Sequence, residues 1–159
     1  MKSRLLLAAA LLFSTSIWAQ KNYADSLKAH RKTYTADLYP IIKDDTAFLS
    51  FFPANKRMIV NATVQLLPDE KPFKLTTSSG KTKDAQKYAA LHFVLGGKEC
   101  RLYLYQLLKL KEKAETANDL FLPFVDLSSG KESYGGGRYI DLLTTDIADN
   151  KVRIDFNKA

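Results

Sequence analysis

Hydrophobic and polar residues alternate with a period of two over most of the chain after residue 45, which is typical of β-strands with one buried face. The pattern is clearest over residues 57–67 and 88–108. In 88–108 two alternating runs meet at Gly96-Gly97, a two-residue turn in which positive φ angles cost glycine little, so this stretch predicts a β-hairpin. Shorter runs predict further strands at 46–52, 71–77, 119–125, 138–143 and 151–157.

The segment before residue 46 has a different period. An apolar stripe spaced near 3.6 residues predicts a helix over residues 21–39, and its members are Tyr23, Leu27, Tyr34 and Leu38. Pro40 is expected to end this helix, because proline disfavours helical geometry at the preceding residue. The predicted organisation is an N-terminal helix and linker over 21–45, followed by an antiparallel β domain over 46–159. The predicted fold class is therefore mainly β, a small antiparallel meander barrel or a sandwich, with an N-terminal α-helix.

Residues 1–20 have the layout of a secretory signal peptide. Lys2 and Arg4 form a basic start, residues 5–13 are continuously apolar, and cleavage is expected after Ala19 or Gln20. The apolar run is shorter than the ~20 residues that a membrane-spanning helix needs. We therefore expect an exported, soluble protein, periplasmic or extracellular, with no transmembrane segment after signal cleavage.

The chain is basic, with 24 Lys and Arg against 17 Asp and Glu and a formal net charge of +7. Cleavage of the signal peptide would remove Lys2 and Arg4 and leave 22 basic residues. Lysines are interleaved with acids, as in residues 109–115, and export separates the protein from nucleic acid, so no nucleic-acid partner is expected. The charge is interpreted as a solvated surface, and weak attraction to anionic envelope polymers is the alternative.

The single cysteine, Cys100, cannot form a disulfide within the chain. Strand alternation places it on the same face as Leu102 and Leu104, whereas Tyr103 and Tyr105 point the other way. This pattern predicts a thiol that packs as a small hydrophobic group rather than one that reacts.

Residues 126–141 contain the densest group of chemically active side chains. The connection between strands 119–125 and 138–143 is longer than the ~2–5 residues of a common hairpin loop, which makes it a candidate functional loop. Three consecutive glycines imply either a mobile loop or a backbone that something approaches closely. The candidate ligand-binding residues are Asp126, Lys131, Glu132, Tyr134, Gly135, Gly136, Gly137, Arg138, Tyr139 and Asp141.

Two interpretations of Arg138 are open. Strand pairing would bring Asp126 and Arg138 together, and their ion pair would then pin the loop closed. Alternatively, Arg138 and the neighbouring glycine amides would receive an anionic or carbonyl-bearing ligand.

Familiar catalytic and cofactor signatures do not fit this region. The segment 135–138 matches neither G-x-G-x-x-G nor a P-loop, and it leads into a strand instead of the helix N-terminus that those motifs require. The segment 130–135 has one residue too many for G-x-S-x-G, and His30 and His92 lie elsewhere in the sequence. No His/Cys cluster has metal-ligand spacing, so no metal and no cofactor are expected.

Several stretches, in order, resemble a bacterial and archaeal family known as domain of unknown function 1684, from about Phe51 to the last residue: "FFP" (51–53), "PFKLTTSSGKTKDAQKYAALHFVLGGKE" (72–99), "LYLYQ" (102–106), "LFLPFVDLSSGKESYGGGRYIDL" (120–142) and "IDFNKA" (154–159). The resemblance implies a mainly antiparallel β fold and supports residues 126–141 as the region to test, but it implies no reaction. It also extends to Gly130 and to Asp155, Phe156 and Asn157. Family members continue into a proline-rich tail with two cysteines, which the resemblance implies is missing after Ala159.

Three functions are compatible with the sequence. The first is an exported ligand-binding module that uses the Asp126–Asp141 loop region to hold a small molecule or an envelope polymer. The second is a structural envelope component without a small ligand. The third is a hydrolase or isomerase with Glu132 or Asp141 as the acid–base group and Arg138 as the electrophile.

Overall fold

A computed structural model describes residues 2–77 and 80–159, with side-chain detail from Asn22 onward. Backbone contacts divide the chain into two units, Met1–Ala54 with Lys158 and Asn55–Asn157 with Ala159.

The first unit contains a long helix, α1 (Lys2–Ile42), followed by a 3-10 helix, Lys43–Phe48. The prediction that Pro40 ends the helix is wrong. The missing N–H costs one hydrogen bond near the helix end, and α1 continues to Ile42 before Lys43 adopts a positive φ of 46°.

The strand predicted over residues 46–52 is also wrong, because 46–48 belong to the 3-10 helix and 49–52 are irregular. The Arg31 guanidinium stacks 5.1 Å from the Phe51 ring and donates a hydrogen bond of 2.7 Å to the Phe52 carbonyl. The Phe51 ring therefore packs against α1, and residues 46–52 take part in none of the described strand pairings, an outcome that periodicity alone does not determine.

The second unit is built on an antiparallel sheet of seven strands among the described residues, which curls into a half-barrel. Its order is β6-β5-β4-β3-β1-β7, and β2 pairs with β3 beside this path. The mainly β, antiparallel prediction with an N-terminal helix is confirmed. The strands are β1 (Ile59–Leu66), β2 (Phe73–Thr76), β3 (Thr82–Leu95), β4 (Lys98–Leu107), β5 (Asp119–Phe124), β6 (Arg138–Leu143) and β7 (Lys151–Asp155).

The predicted hairpin is strands β3 and β4, joined at Gly96 and Gly97 with φ angles of 59° and 77°. Strand β3 is long enough to pair with β2 through its first residues and with β1 further along, and a register shift between Lys87 and Ala89 lies between these two parts. A bulge of this kind increases the local twist and bends the sheet.

The hydrophobic core covers the inner face of this sheet. Its buried members come from β1, β3–β7 and the turn after β7: Val60, Ala62, Val64, Ala89, Leu91, Phe93, Leu104, Leu120, Leu122, Phe124, Ile140, Leu142, Val152, Ile154 and Phe156. Cys100 is half-buried against the same cluster, as the alternation predicted. Strand β4 leads into a short helix, α2 (Leu108–Lys111), and no described helix meets the length and apolarity needed to cross a membrane.

Candidate ligand-binding site

The β5–β6 hairpin divides the predicted site residues between two faces of the sheet. Phe124 pairs with Arg138, and this pair lies on the inner face with the core. Phe121 pairs with Asp141 and Pro123 with Tyr139, and alternation places both pairs on the outer face. The sequence therefore grouped residues that the sheet separates.

On the inner side, Arg138 is held by a compact polar cluster. Its Nη2 donates to Asp126 Oδ2 at 2.5 Å and lies 3.5 Å from Ser128 Oγ, and its Nη1 lies 3.4 Å from the Ala159 carbonyl. Its guanidinium carbon stands 5.2 Å from the centre of the Phe124 ring. The side chain is only 17% exposed, so its charge is largely committed to these partners.

Asp126 receives enough hydrogen bonds to remain ionised. Its Oδ1 accepts from the Ser128 backbone N–H at 2.9 Å and from the Ser128 hydroxyl at 2.6 Å. Partial burial on its own would raise the pKa of Asp126, but these hydrogen bonds and the Arg138 charge outweigh it and lower the pKa below its ordinary value.

The loop between these residues is tied to itself. The Ser128 carbonyl accepts from the backbone N–H groups of Lys131, Glu132 and Ser133, at 3.0, 2.9 and 3.1 Å. The side chains of Lys131, Glu132 and Tyr134 are exposed, and Gly135 and Gly136 are exposed beside them.

Two of the three consecutive glycines lie where a side chain would collide: a Cβ at Gly136 would stand 2.3 Å from the Tyr134 ring, and Gly137 lies against the strand before the loop. Gly137 has a φ of +90°, and a Cβ there would stand 2.5 Å from the Phe124 carbonyl oxygen. The group that approaches the Gly137 backbone is therefore the preceding strand. This geometry agrees with the interpretation in which the Asp126–Arg138 ion pair holds the two ends of the loop together.

The outer face of the same hairpin lies in a cleft of about 910 Å³, called here the outer cleft. Strands β2, β3, β5 and β6, the end of β4 and helix α2 all contribute to it. Its lining is mostly apolar, and the members of that kind include Leu75, Leu107, Leu110, Phe121, Pro123 and Leu143. The charged and phenolic members are Lys83, Asp119, Tyr139, Asp141 and Asp146.

An aromatic row supports the floor of the outer cleft. The ring centres of Phe73 and Tyr105 are 5.8 Å apart in an edge-on arrangement, and those of Tyr105 and Phe121 are 5.6 Å apart. Burial raises the pKa of the Tyr105 hydroxyl, and the nearby Lys87 charge offsets only part of this effect. Phe121 is the member of this row that lines the cleft, and the rings of Tyr105 and Phe73 pack behind it.

Asp141 is the cleft carboxylate whose environment opposes ionisation. Desolvation by its surroundings, and secondarily the negative charge of Asp119, raise the pKa of Asp141 above its ordinary value. Asp146 is fixed differently, because its Oδ2 accepts from the Leu143 backbone N–H at 2.8 Å. The outer cleft thus combines an apolar floor with carboxylates at its edge.

The comparisons with known proteins bear on family and fold. The family model described as "Protein of unknown function (DUF1684)" matches residues 24–159. The chain belongs to the DUF1684 family. A search of curated proteins found no match. A similar solved structure, the solution NMR structure of an uncharacterized protein of Haloarcula marismortui, is 27% identical with a TM-score of 0.63 over 87% of this chain and 77% of that one.

In this DUF1684 protein the sequence reasoning found Tyr139 and Asp141 but missed the rest of the outer cleft. Strand alternation could have indicated Asp119 and Phe121. On β5 they share the outer face with Pro123, and this face pairs with the face of β6 that carries Tyr139 and Asp141. Leu75, Lys83 and Leu110 gave no local signal, since only the curl of the sheet brings them to the hairpin.

Proposed function

We propose that this protein is an exported ligand-binding protein of the DUF1684 family and that its ligand occupies the outer cleft. The observation that carries the proposal is a cleft of about 910 Å³ with an apolar lining and a few convergent polar groups. Small-molecule sites have this size and composition, at ~300–1,000 Å³, and an ionisable group with a shifted pKa in such a cleft strengthens the inference. Asp141 is such a group.

The inner cluster around Arg138 is a weaker candidate. Its guanidinium already contacts Asp126, the Ala159 carbonyl and the Phe124 ring, and a ligand there would have to displace partners within the fold. Arg138 is also absent from the described lining of the cleft to which Asp141 belongs. An acid–base site that joins Asp141 to Arg138 therefore has no support in this geometry.

Export is part of the proposal and rests on the sequence. The basic start, apolar run and polar cleavage region of residues 1–20 are those of a secretory signal peptide. A periplasmic or extracellular binding protein would meet small amphiphiles and envelope polymers as ligands.

A matched pair of tyrosine variants tests the location of the site. Tyr139 in the outer cleft is 58% exposed and Tyr134 in the β5–β6 loop is 64% exposed, so alanine at either position should leave the fold intact. For any small amphiphile that shifts the amide resonances of Phe121 and Asp141, we expect Tyr139→Ala to weaken affinity by about tenfold, as for loss of an aromatic contact.

The control, Tyr134→Ala, should bind like the wild type in the same NMR titration. Equal loss in both variants, or loss in Tyr134→Ala alone, would move the site to the loop. If no amphiphile with a cationic, neutral or anionic head shifts the cleft amides, the ligand-binding proposal fails.

A further inference from the structure

We propose that the outer cleft selects ligands with a positively charged head on an apolar body, that is, amphipathic cations such as long-chain amines or quaternary ammonium compounds. This inference rests on the proposed ligand-binding function and names the ligand class for the same cleft.

The outer cleft and the whole molecule have opposite charge balances. The whole chain is basic, with a formal net charge of +7. Among the described residues that line the outer cleft the balance is the opposite, because Asp119, Asp141 and Asp146 stand against one lysine, Lys83. A local reversal of charge in a walled cleft concentrates ligands of the complementary sign.

An acidic side chain adjoins the apolar surface of the cleft. Asp141 stands directly opposite Phe121 in the β5–β6 register, so the carboxylate adjoins the ring that forms the cleft floor. A ligand whose hydrocarbon chain covers Phe121 can therefore place its head group next to the Asp141 carboxylate. Aromatic rings add to the preference, because the faces of Phe and Tyr attract cations.

The titration of Asp141 should give the cation preference a pH dependence. Desolvation and the like charge of Asp119 raise the pKa of Asp141. The other charged or phenolic groups that line the cleft are Asp146 after β6, Lys83 on β3 and Tyr139 on β6, while β2 and α2 contribute uncharged residues. A bound cation favours the ionised form of Asp141, so cation binding should weaken as the pH falls through the raised pKa of this carboxyl group.

Three probes that share one hydrocarbon body test the inference: n-octyltrimethylammonium, n-octanol and n-octyl sulfate. Each is titrated into the full chain below its micelle concentration, and the cleft amides are followed by NMR. At neutral pH we expect the ammonium probe to bind about tenfold more tightly than octanol, and octyl sulfate to bind more weakly than octanol. The ammonium charge is permanent, so any loss of its advantage in acid reports on the protein.

A charge-neutralising variant assigns the preference to Asp141. We expect Asp141→Asn to remove most of the advantage of the ammonium probe and to leave octanol binding unchanged. Glu99→Gln removes the same charge at the exposed β3–β4 turn and should change neither affinity. If Asp141→Asn loses the native amide spectrum, Asp119→Asn provides the same comparison on the neighbouring strand.

The outcomes separate the two proposals. Octanol or octyl sulfate binding as tightly as the ammonium probe would overturn the cation preference and leave the cleft as a binding site. Equal ammonium advantage in Asp141→Asn and wild type would overturn the role of this carboxylate. Absence of cleft shifts with all three probes would overturn the binding function itself.

Discussion

At the scale of single residues, Arg138 shows how one side chain supports two interpretations until its neighbours are known. The sequence suggested an Asp126–Arg138 ion pair, and the structure contains it, with Ser128 as an additional partner. What the sequence did not supply is the burial of the guanidinium against the Phe124 ring. That contact depends on the pairing of Arg138 with Phe124 across the hairpin, which is a matter of strand register and not of composition.

The Asp126 cluster should stabilise the fold measurably. We expect Asp126→Ala to lower the free energy of unfolding in urea by about 1–3 kcal/mol, because Arg138 and Ser128 then lose their shared acceptor in a partly buried site. The control is Asp84→Ala, whose ion pair with Lys74 at 2.7 Å is exposed and should contribute less than about 1 kcal/mol. Equal effects of the two substitutions would contradict the loop-pinning role.

The contribution of Asp126 should also depend on pH. Its pKa is lowered in the folded protein, so the stabilisation is complete above the ordinary carboxyl value of 3.8 and disappears as the pH falls through the lower, folded value. The difference in free energy of unfolding between wild type and Asp126→Ala should therefore be constant near neutral pH and should disappear in acid. A difference that persists in strong acid would assign the effect to packing.

At the scale of elements, period-two alternation predicted all seven described strands, because all of them except β2 contribute side chains to one core. Strand β3 begins at Thr82, earlier than the predicted hairpin over 88–108. The alternation failed at residues 46–52, where an apolar run of similar composition has no strand to pair with. Alternation also predicts which residues of β6 face the core and which face outward. The separation of Arg138 from Tyr139 and Asp141 could therefore have been predicted, whereas the extension of α1 beyond Pro40 could not.

An asparagine joins the beginning of β1 to the turn after β7. Asn157 is buried; its Oδ1 accepts from the Asn55 N–H at 2.7 Å, and its Nδ2 donates to the Asn55 carbonyl at 3.0 Å and to Asp155 Oδ1 at 2.8 Å. We expect Asn157→Ala to lower the free energy of unfolding by about 2–3 kcal/mol, because it leaves shielded polar groups without partners. Asn61→Ala, on the exposed side of β1, should change it by less than about 0.5 kcal/mol in the same urea titration. Similar values for both would show that this link is dispensable.

At the scale of the whole molecule, the outer cleft was beyond sequence reasoning. Its lining comes from β2 and Thr77, from Lys83 on β3, from the end of β4 and helix α2, and from β5, β6 and Asp146, and the curl of the sheet brings these segments to one place. The family resemblance, now supported by a match over residues 24–159, agreed with the fold class that alternation predicted but did not indicate the cleft. Local signals thus identified two of its residues, and long-range topology supplied the others.

The proposed export is testable on the full chain. When the gene is expressed in a bacterial host, we expect protein recovered outside the cytoplasm to begin at Gln20 or Lys21 by intact-mass measurement, because cleavage is expected after Ala19 or Gln20. Leu7→Arg interrupts the apolar run and should leave an unprocessed chain inside the cell. Processing that is unaffected by Leu7→Arg, or a full-length product in the medium, would contradict the signal peptide.

The floor of the outer cleft, formed by β5 and β6, and its rim, formed by α2 and β2, differ in how closely they are tied to the hydrophobic core. The floor strands β5 and β6 carry Leu120, Leu122 and Ile140 on their other side, so any shift of the floor disturbs the core. The rim helix α2 contains no buried residue, and β2 has none that is fully buried. Evolution can therefore retune which molecule is held by changing the rim at little cost in folding, while the strands beneath it keep a constant geometry.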